Sequence, residues 1–291
     1  MLFLLYNSNS KIGKNKEKIF KVLASAIKTF KDGDIRVKDI TKLDSIEERL
    51  AKINKEKDNI LIVGGDGTLT SLINKYKKYL DKLPKIYAVK AGTGNDFLRN
   101  IIHSGYPVEN INNKYFLINP FLKNLPICKI NNNEKTFLNG IGIGLDGYIC
   151  KNVEEQRNKN NKQSFFKITL KSFMEFKPLE KLTIEVDGHK NELKKCWFAS
   201  IMNGKYYGGG MKIAPKADFK GDKVQAIIIN DINKFRLFTL FPLIYTGNHL
   251  KIKAVKFFEG KHIKITSDEK TYVQIDGEPQ NDINEIEVIK E

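Results

Sequence analysis

Three polar or glycine-rich turns and one late carboxylate hold most of the chemistry this chain can do. In Leu61-Ile62-Val63-Gly64-Gly65-Asp66-Gly67-Thr68, three branched apolar residues run into two glycines, an aspartate, a third glycine and a threonine. An amphipathic run over 69–79 follows at once. A buried strand, a glycine turn and a helix start, in that order, make a place where backbone N–H groups can face a phosphate. Asp66 can reach a magnesium ion or a sugar hydroxyl, and Thr68 can cap the helix or bond a phosphate oxygen. An ordinary strand-to-helix turn that happens to be rich in glycine would carry the same letters.

Two further loops have the same setting. Asn7-Ser8-Asn9-Ser10-Lys11 follows the apolar run over 2–6, and Gly92-Thr93-Gly94-Asn95-Asp96 follows the one over 86–89. Each precedes a helical pattern: 16–29, with Ile19, Phe20, Leu23 and Ile27 at helical spacing, and 97–102. A short strand over 35–37 and a helix over 45–53, opened by the Ser45 and Glu48 capping box, complete a βα alternation. Such units predict a parallel sheet, whose loops gather at the carboxyl ends of the strands, where ligands bind. None of the three loops ends in the Gly-Lys-Ser/Thr of a Walker A motif, which excludes a standard P-loop enzyme.

Beyond Phe121 the character changes to short strands between turn signals, over 135–139, 182–186, 196–202, 224–229, 263–266, 272–275 and 286–289. An antiparallel sandwich or barrel is the expectation there. One helical stretch interrupts it over 165–176. This stretch is either a membrane-facing element flanked by Lys162, Lys167 and Lys171, or a helix packing Phe166, Leu170 and Phe173 into the core. Gly142-Ile143-Gly144-Leu145-Asp146-Gly147 matches the letters of a dinucleotide fingerprint, but it sits among strand-like segments and reads better as a strand passing close to a ligand or helix. Asp187-Gly188 and Asp276-Gly277 read as hairpin turns. The second would leave Glu278 at its tip with a free carboxylate. Tyr206-Tyr207-Gly208-Gly209-Gly210-Met211 is a loop, at a substrate or merely connecting.

The 291 residues suit two domains. Their net charge of +16, from 50 basic against 34 acidic residues, favours nucleotides, anionic lipid surfaces or nucleic acid. With only five arginines, specific base reading is poorly supported. Part of the lysine excess matches the abundant asparagine and isoleucine of an AT-rich coding sequence. Cys128, Cys150 and Cys196 are too scattered for a disulfide framework or a zinc site, which points to a reduced, cytoplasmic setting. The first residues read as a buried strand rather than a signal peptide. The nearest approach to a membrane span, over 235–245, is broken by Arg236 and Pro242.

Taken together and in order, these motifs resemble the bacterial soluble diacylglycerol kinase-like lipid kinases, whose catalytic domain is shared with sphingosine kinases and distantly similar to NAD kinase and phosphofructokinase. The resemblance covers nearly the whole chain. It rests on Asn7 and Ser10 of the first loop, which lacks the family's Pro and Gly, and on the intact Gly64 to Thr68 and Gly92 to Phe97 signatures, with Arg99 in register. It continues through Asn203, Tyr207 to Met211, Pro215 and Ala217, and ends at Asp276 to Glu278.

The resemblance implies an α/β N-terminal domain with a parallel sheet, NAD kinase/phosphofructokinase-like, over residues 1–120. A C-terminal antiparallel β-sandwich-like domain would cover 121–280, with 281–291 a last strand returning to the N-terminal domain. It implies an active site in the cleft between the domains, ATP as phosphoryl donor, Mg2+, and a lipid alcohol as acceptor, diacylglycerol first. Asp66, Asp96 and Glu278 would form the acidic network, and Glu278 or Asp66 would take the acceptor's proton. The nucleotide contacts would be Asn7, Ser10, Thr41, Gly64, Gly65, Gly67, Thr68, Gly92, Thr93, Gly94 and Asn95. Family members with a structural magnesium carry Asp-Gly soon after the Pro-x-Ala segment. Here the order is Lys220-Gly221-Asp222, so Asp222 is the candidate ligand. The expected partners are the lipid substrate, an anionic membrane surface bound peripherally and a second copy of the chain, but not nucleic acid. Two other readings remain: a kinase for a sphingoid base or another lipid alcohol, and a non-catalytic protein that binds nucleotide or anionic lipid.

Overall fold

The computed structural model describes residues 1–10, 13–31, 34–42, 53–90, 95–159 and 164–291, and the expected helix over 45–53 lies almost wholly outside them. The chain divides into two compact units, Met1–Lys123 and Asn124–Glu291. In the first, strands β1 (Leu2–Tyr6), β2 (Ile35–Asp39), β3 (Asn59–Val63) and β4 (Lys85–Val89) pair in parallel in the order β2-β1-β3-β4. The short β5 (Asn110–Ile111) and β6 (Tyr115–Leu117) extend the sheet antiparallel beyond β4. Helices α1 (Lys16–Phe30), α2 (Asp66–Tyr76) and α3 (Asp96–Ile102) alternate with the strands.

Burial on both faces of the sheet explains its apolar strands. Along β3, Leu61 and Val63 join a core with Leu2, Leu4, Tyr87 and Ala26 of α1, while Ile60 and Ile62 are buried on the opposite face. The inner face of α1 differs from the expected one. Ile19, Val22, Leu23, Ala26 and Phe30 face the core, whereas Phe20 and Ile27 are exposed. The Asn15 side chain caps this helix, accepting from Lys18 N at 3.0 Å.

In the second unit a nine-stranded antiparallel sheet runs through β7 (Ile127–Ile130), β8 (Asn133–Thr136), β9 (Gly140–Gly144), β10 (Leu179–Val186), β11 (His189–Met202), β12 (Val224–Asn230), β13 (Val255–Gly260), β14 (His262–Ile275) and β15 (Glu278–Ile289). The long strands β11 and β14 each pair with β10 along one stretch and with β9 along another. Register shifts at Cys196/Phe198 of β11 and between Thr266 and Val273 of β14 fall where each strand changes its partner from β10 to β9. The runs over 263–266 and 272–275 are thus one strand. The last strand, β15, pairs with β14 and β7, so residues 281–289 belong to this sheet and not to the first unit as expected. The aliphatic face of its Ile283, Ile286 and Val288 is buried in the same core as Ile263 and Ile265, which fixes the register.

Three helices pack on this sheet: α4 (Leu145–Asn158), α5 (Phe165–Glu175) and α6 (Lys234–Thr246). Sequence periodicity shows α5 alone. The segment after Gly144 is α4, although its glycines read as strand, and the broken apolar run over 235–245 is α6, ended by Gly247 at φ 78°. Among the described residues no helix is long and apolar enough to cross a membrane.

Candidate active site

In the first unit the Gly64 turn is closed by its own helix. Gly65 is the N-cap and offers no side chain, and α2 begins at Asp66 itself. Thr68 is not the cap. It lies inside the helix, buried, with its side chain against Gly64, where a Cβ would stand 2.4 Å from Thr68 Cβ. Gly64 is therefore glycine to admit Thr68. Gly67 is different, because a Cβ there would meet nothing within 4 Å.

Asp66 ties this turn to the next. Its Oδ2 accepts from the backbone N–H of Asp96 at 2.9 Å and its Oδ1 from that of Phe97 at 3.0 Å. The carboxylate thereby serves two of the amides that open α3, which have no partner inside the helix. Asp96, buried, is paired with the Arg99 guanidinium one turn on. Asn95 supplies the carbonyl that accepts from Arg99 N at 2.9 Å. Gly92, Thr93 and Gly94 lie outside the described residues.

The first loop is ordered by short polar bonds. Ser10 Oγ donates to Asn7 O at 2.7 Å and accepts from Gly13 N at 2.9 Å, and Asn7 Oδ1 accepts from Asn9 N at 2.8 Å. Asp39, at the end of β2, joins this loop to Thr41. Its Oδ1 accepts from Ser8 N at 3.2 Å, Thr41 N at 3.1 Å and Thr41 Oγ1 at 2.9 Å. Partial burial pushes the Asp39 carboxyl up, but these hydrogen bonds outweigh it and hold the group below the usual carboxylate range.

In the second unit Asp276 and Gly277, at φ 47° and 87°, form the hairpin turn that the Asp-Gly pair predicts. The Asp276 carboxylate does more than turn the chain. It accepts from the backbone N–H groups of Leu138, Asn139 and Gly140 at 2.6, 2.9 and 3.2 Å. Glu278 begins β15 just past this anchor, with its side chain half exposed and 3.3 Å from Lys135 Nζ.

A buried chain of hydrogen bonds supports the same turn. Gly277 N donates to Gln274 Oε1 at 2.7 Å, and Gln274 Nε2 donates to Asp146 Oδ2 at 2.7 Å. Tyr207 OH donates to that same oxygen at 2.9 Å. Tyr207 also closes the glycine loop, exchanging backbone bonds with Met211 across Gly208, Gly209 and Gly210, which are all at positive φ. Burial pushes the Asp146 carboxyl above its ordinary range, against the two hydrogen bonds that favour its charged form. The fingerprint-like letters now have a physical reason, since a Cβ on Gly142 would stand 1.6 Å from Asp146 Oδ2. On the far side, Asn203 donates from Nδ2 to Leu138 O at 2.9 Å and accepts from Lys290 Nζ at 2.8 Å. Lys290 is fully buried, and burial pushes its ammonium down to about 8.

Among the described residues no three His, Cys, Asp or Glu side chains are grouped to hold an ion. Magnesium travelling with phosphates needs only one or two carboxylates, and Asp66 and Asp96 are the candidate pair. Asp222, the sequence candidate for a structural magnesium, is half exposed, with its carboxylate 2.6 Å from Lys261 Nζ. Sequence reasoning missed Asp39, Asp146, Gln274 and Lys290. Only the crowding of glycines ahead of Asp146 hinted at that carboxyl, and nothing local marks the others.

Residues 1–118 match the diacylglycerol kinase catalytic domain, and residues 139–288 match the YegS C-terminal NAD kinase beta sandwich-like domain. YtlR of Bacillus subtilis (strain 168), provisionally named a lipid kinase, is 27% identical over 234 residues, which cover 75% of this chain and 73% of its own. The diacylglycerol kinase of Mycobacterium tuberculosis H37Rv is 23% identical over 219 residues, 74% of this chain and 69% of its own. A crystal structure of a provisionally named diacylglycerol kinase from Bacillus anthracis has the same fold, with a TM-score of 0.62 at 22% identity over 99% of this chain and 92% of that one. The two domain matches, in this order and across both units, place the chain in the diacylglycerol kinase-like lipid kinase family.

Proposed function

We propose that this lipid kinase transfers the γ-phosphoryl group of ATP, with Mg2+, to the free hydroxyl of diacylglycerol, giving phosphatidic acid at an anionic membrane surface. The observation that carries the reading is that both acidic signatures are built rather than incidental. Asp66 clamps the start of α3, and Asp276 clamps residues 138–140 behind Glu278.

Phosphoryl transfer needs positioning, neutralisation of charge and a base within reach of the attacking alcohol. The open backbone at Gly67 gives an approach for phosphate oxygens, and Asp66 and Asp96 would hold the metal that the nucleotide brings. The metal and ATP supply the electrophilic phosphoryl group. Glu278 takes the proton from the acceptor hydroxyl as that oxygen bonds to phosphorus, and ADP leaves. Diacylglycerol is favoured by the relatives named for it, while the fold itself is compatible with any lipid alcohol.

A panel of diacylglycerol, monoacylglycerol and a sphingoid base, with labelled ATP, separates these acceptors. Label in phosphatidic acid is expected. Label in the sphingoid product alone would move the acceptor, and magnesium-ATP binding without any labelled lipid would make the chain a non-catalytic binder.

A further inference from the structure

Two helices of the second unit carry large exposed apolar side chains. Phe165, Phe166 and Met174 on α5, and Phe235, Phe238 and Tyr245 on α6, are each between 53% and 78% exposed. These are not loose ends of unfolded helices. Ile168 and Phe173 of α5, and Leu237, Leu240 and Ile244 of α6, are buried beneath them. The two helices are locked together, with Phe173 edge-on to Phe238 at 5.7 Å between ring centroids and Lys234 Nζ donating to Met174 O at 2.7 Å. Around α6, Phe235, Phe238 and Tyr245 fall within about 80° of one another, and around α5 Phe166 and Met174 do the same, on the side where Phe173 meets Phe238.

The chemistry of that face selects its occupant. Its exposed phenylalanines, Met174 and Tyr245 offer little beyond the Tyr245 hydroxyl for hydrogen bonding, so a partner read by polar contacts would find little to bond. Cations surround it. Lys167, Lys171, Lys234 and Arg236 stand on these helices against the single carboxylate of Glu175, itself 3.6 Å from Lys171 Nζ. A second copy of a chain with a net charge of +16 would bring like charge to the same rim. An aromatic centre with a cationic margin matches the boundary between anionic headgroups and acyl chains.

We infer that α5 and α6 together form the membrane-docking face of this protein, with Phe166, Phe235 and Phe238 entering the headgroup–acyl boundary of an anionic bilayer and Lys167, Lys171 and Arg236 at the level of its headgroups. The inference gives the membrane surface of the proposed function a place on the fold. It stands on exposure and charge alone, so it is tested without ATP.

The experiment is sedimentation of the full chain with phosphatidylcholine vesicles, with and without phosphatidylglycerol. Wild type should pellet with the anionic vesicles. Phe166→Ser/Phe235→Ser/Phe238→Ser should weaken binding by at least about tenfold, because partial insertion of three rings is worth more than about 1.4 kcal/mol. Lys167→Gln/Lys171→Gln/Arg236→Gln should weaken it in a salt-dependent way. Phe20→Ser, at an exposed phenylalanine of α1, should change nothing. Trp197, the one tryptophan, lies under Lys234 at 5.5 Å and donates to Ile232 O at 2.8 Å just ahead of α6, so its emission reports that the variants keep their fold. Labelled transfer to acceptor in detergent micelles should survive the triple phenylalanine change, which separates this inference from the kinase reading. Failure of wild type to bind anionic vesicles would overturn it. So would wild-type binding by the triple variant, an equal effect of Phe20→Ser, or a wild-type dimer in the ultracentrifuge that the triple variant reduces to monomer.

Discussion

The Asp66 carboxylate accepts from the backbone amide of Asp96 at 2.9 Å, across 30 residues of sequence. With the companion bond to Phe97 N, it fixes the start of α3 against the start of α2. Replacement by alanine leaves both amides without this acceptor. Asp66→Ala should lose about 2 kcal/mol of stability in urea unfolding, together with transferase activity. Asp66→Asn keeps one acceptor and should lose about half as much.

Gly67 separates the cost of a side chain from the cost of blocking a ligand. It is helical, and its Cβ position is open. Gly67→Ala should raise stability by up to about 1 kcal/mol. If phosphate oxygens approach there, KM for ATP rises in the same variant, measured against a KM for lipid that stays the same.

Asp146 gives a prediction with a sign. Its folded carboxyl is raised, so its contribution to stability is present below the unfolded value near 3.8 and is lost as pH rises through the folded one. An asparagine in its place would accept the same two hydrogen bonds without a buried charge. Asp146→Asn should therefore match or exceed wild type in thermal melting at neutral pH. Asp146→Leu strands Gln274 Nε2 and Tyr207 OH, and should cost about 2–4 kcal/mol.

The strand, turn and helix that begin each βα unit were legible because burial on two faces writes long apolar runs, and because Asp-Gly writes hairpins. The carboxylates at Asp66, Asp96 and Glu278 stood in recognisable strings. Their partners did not: Asp66 meets Phe97, and Asp276 meets Leu138, through backbone amides that leave no mark on residue identity. α6 was obscured by Pro242 and by phenylalanines on its outer face, which blur a 3.6-residue period. The place of β15 was hidden because its apolar alternation fits either sheet until a partner strand is known.

Lys290 is buried at the end of the chain, donating to Asn203 Oδ1 at 2.8 Å and to Phe219 O at 3.1 Å. Its folded value of about 8 lies below the usual 10.5, so wild-type stability should rise as pH climbs from about 8 toward 10.5. The rise is at most on the order of 3 kcal/mol. Lys290→Met should flatten that rise in denaturant titrations across the same window.

Labelled phosphate transfer from ATP to diacylglycerol, run side by side for wild type and Glu278→Gln, tests the central claim most directly. Glu278 is half exposed and carries one surface ion pair, so the variant should fold within about 0.5 kcal/mol of wild type. Wild type should give labelled phosphatidic acid, and the variant at least about a hundredfold less. Equal labelling by the two proteins, or no labelled lipid from folded wild type with any acceptor, would contradict the account.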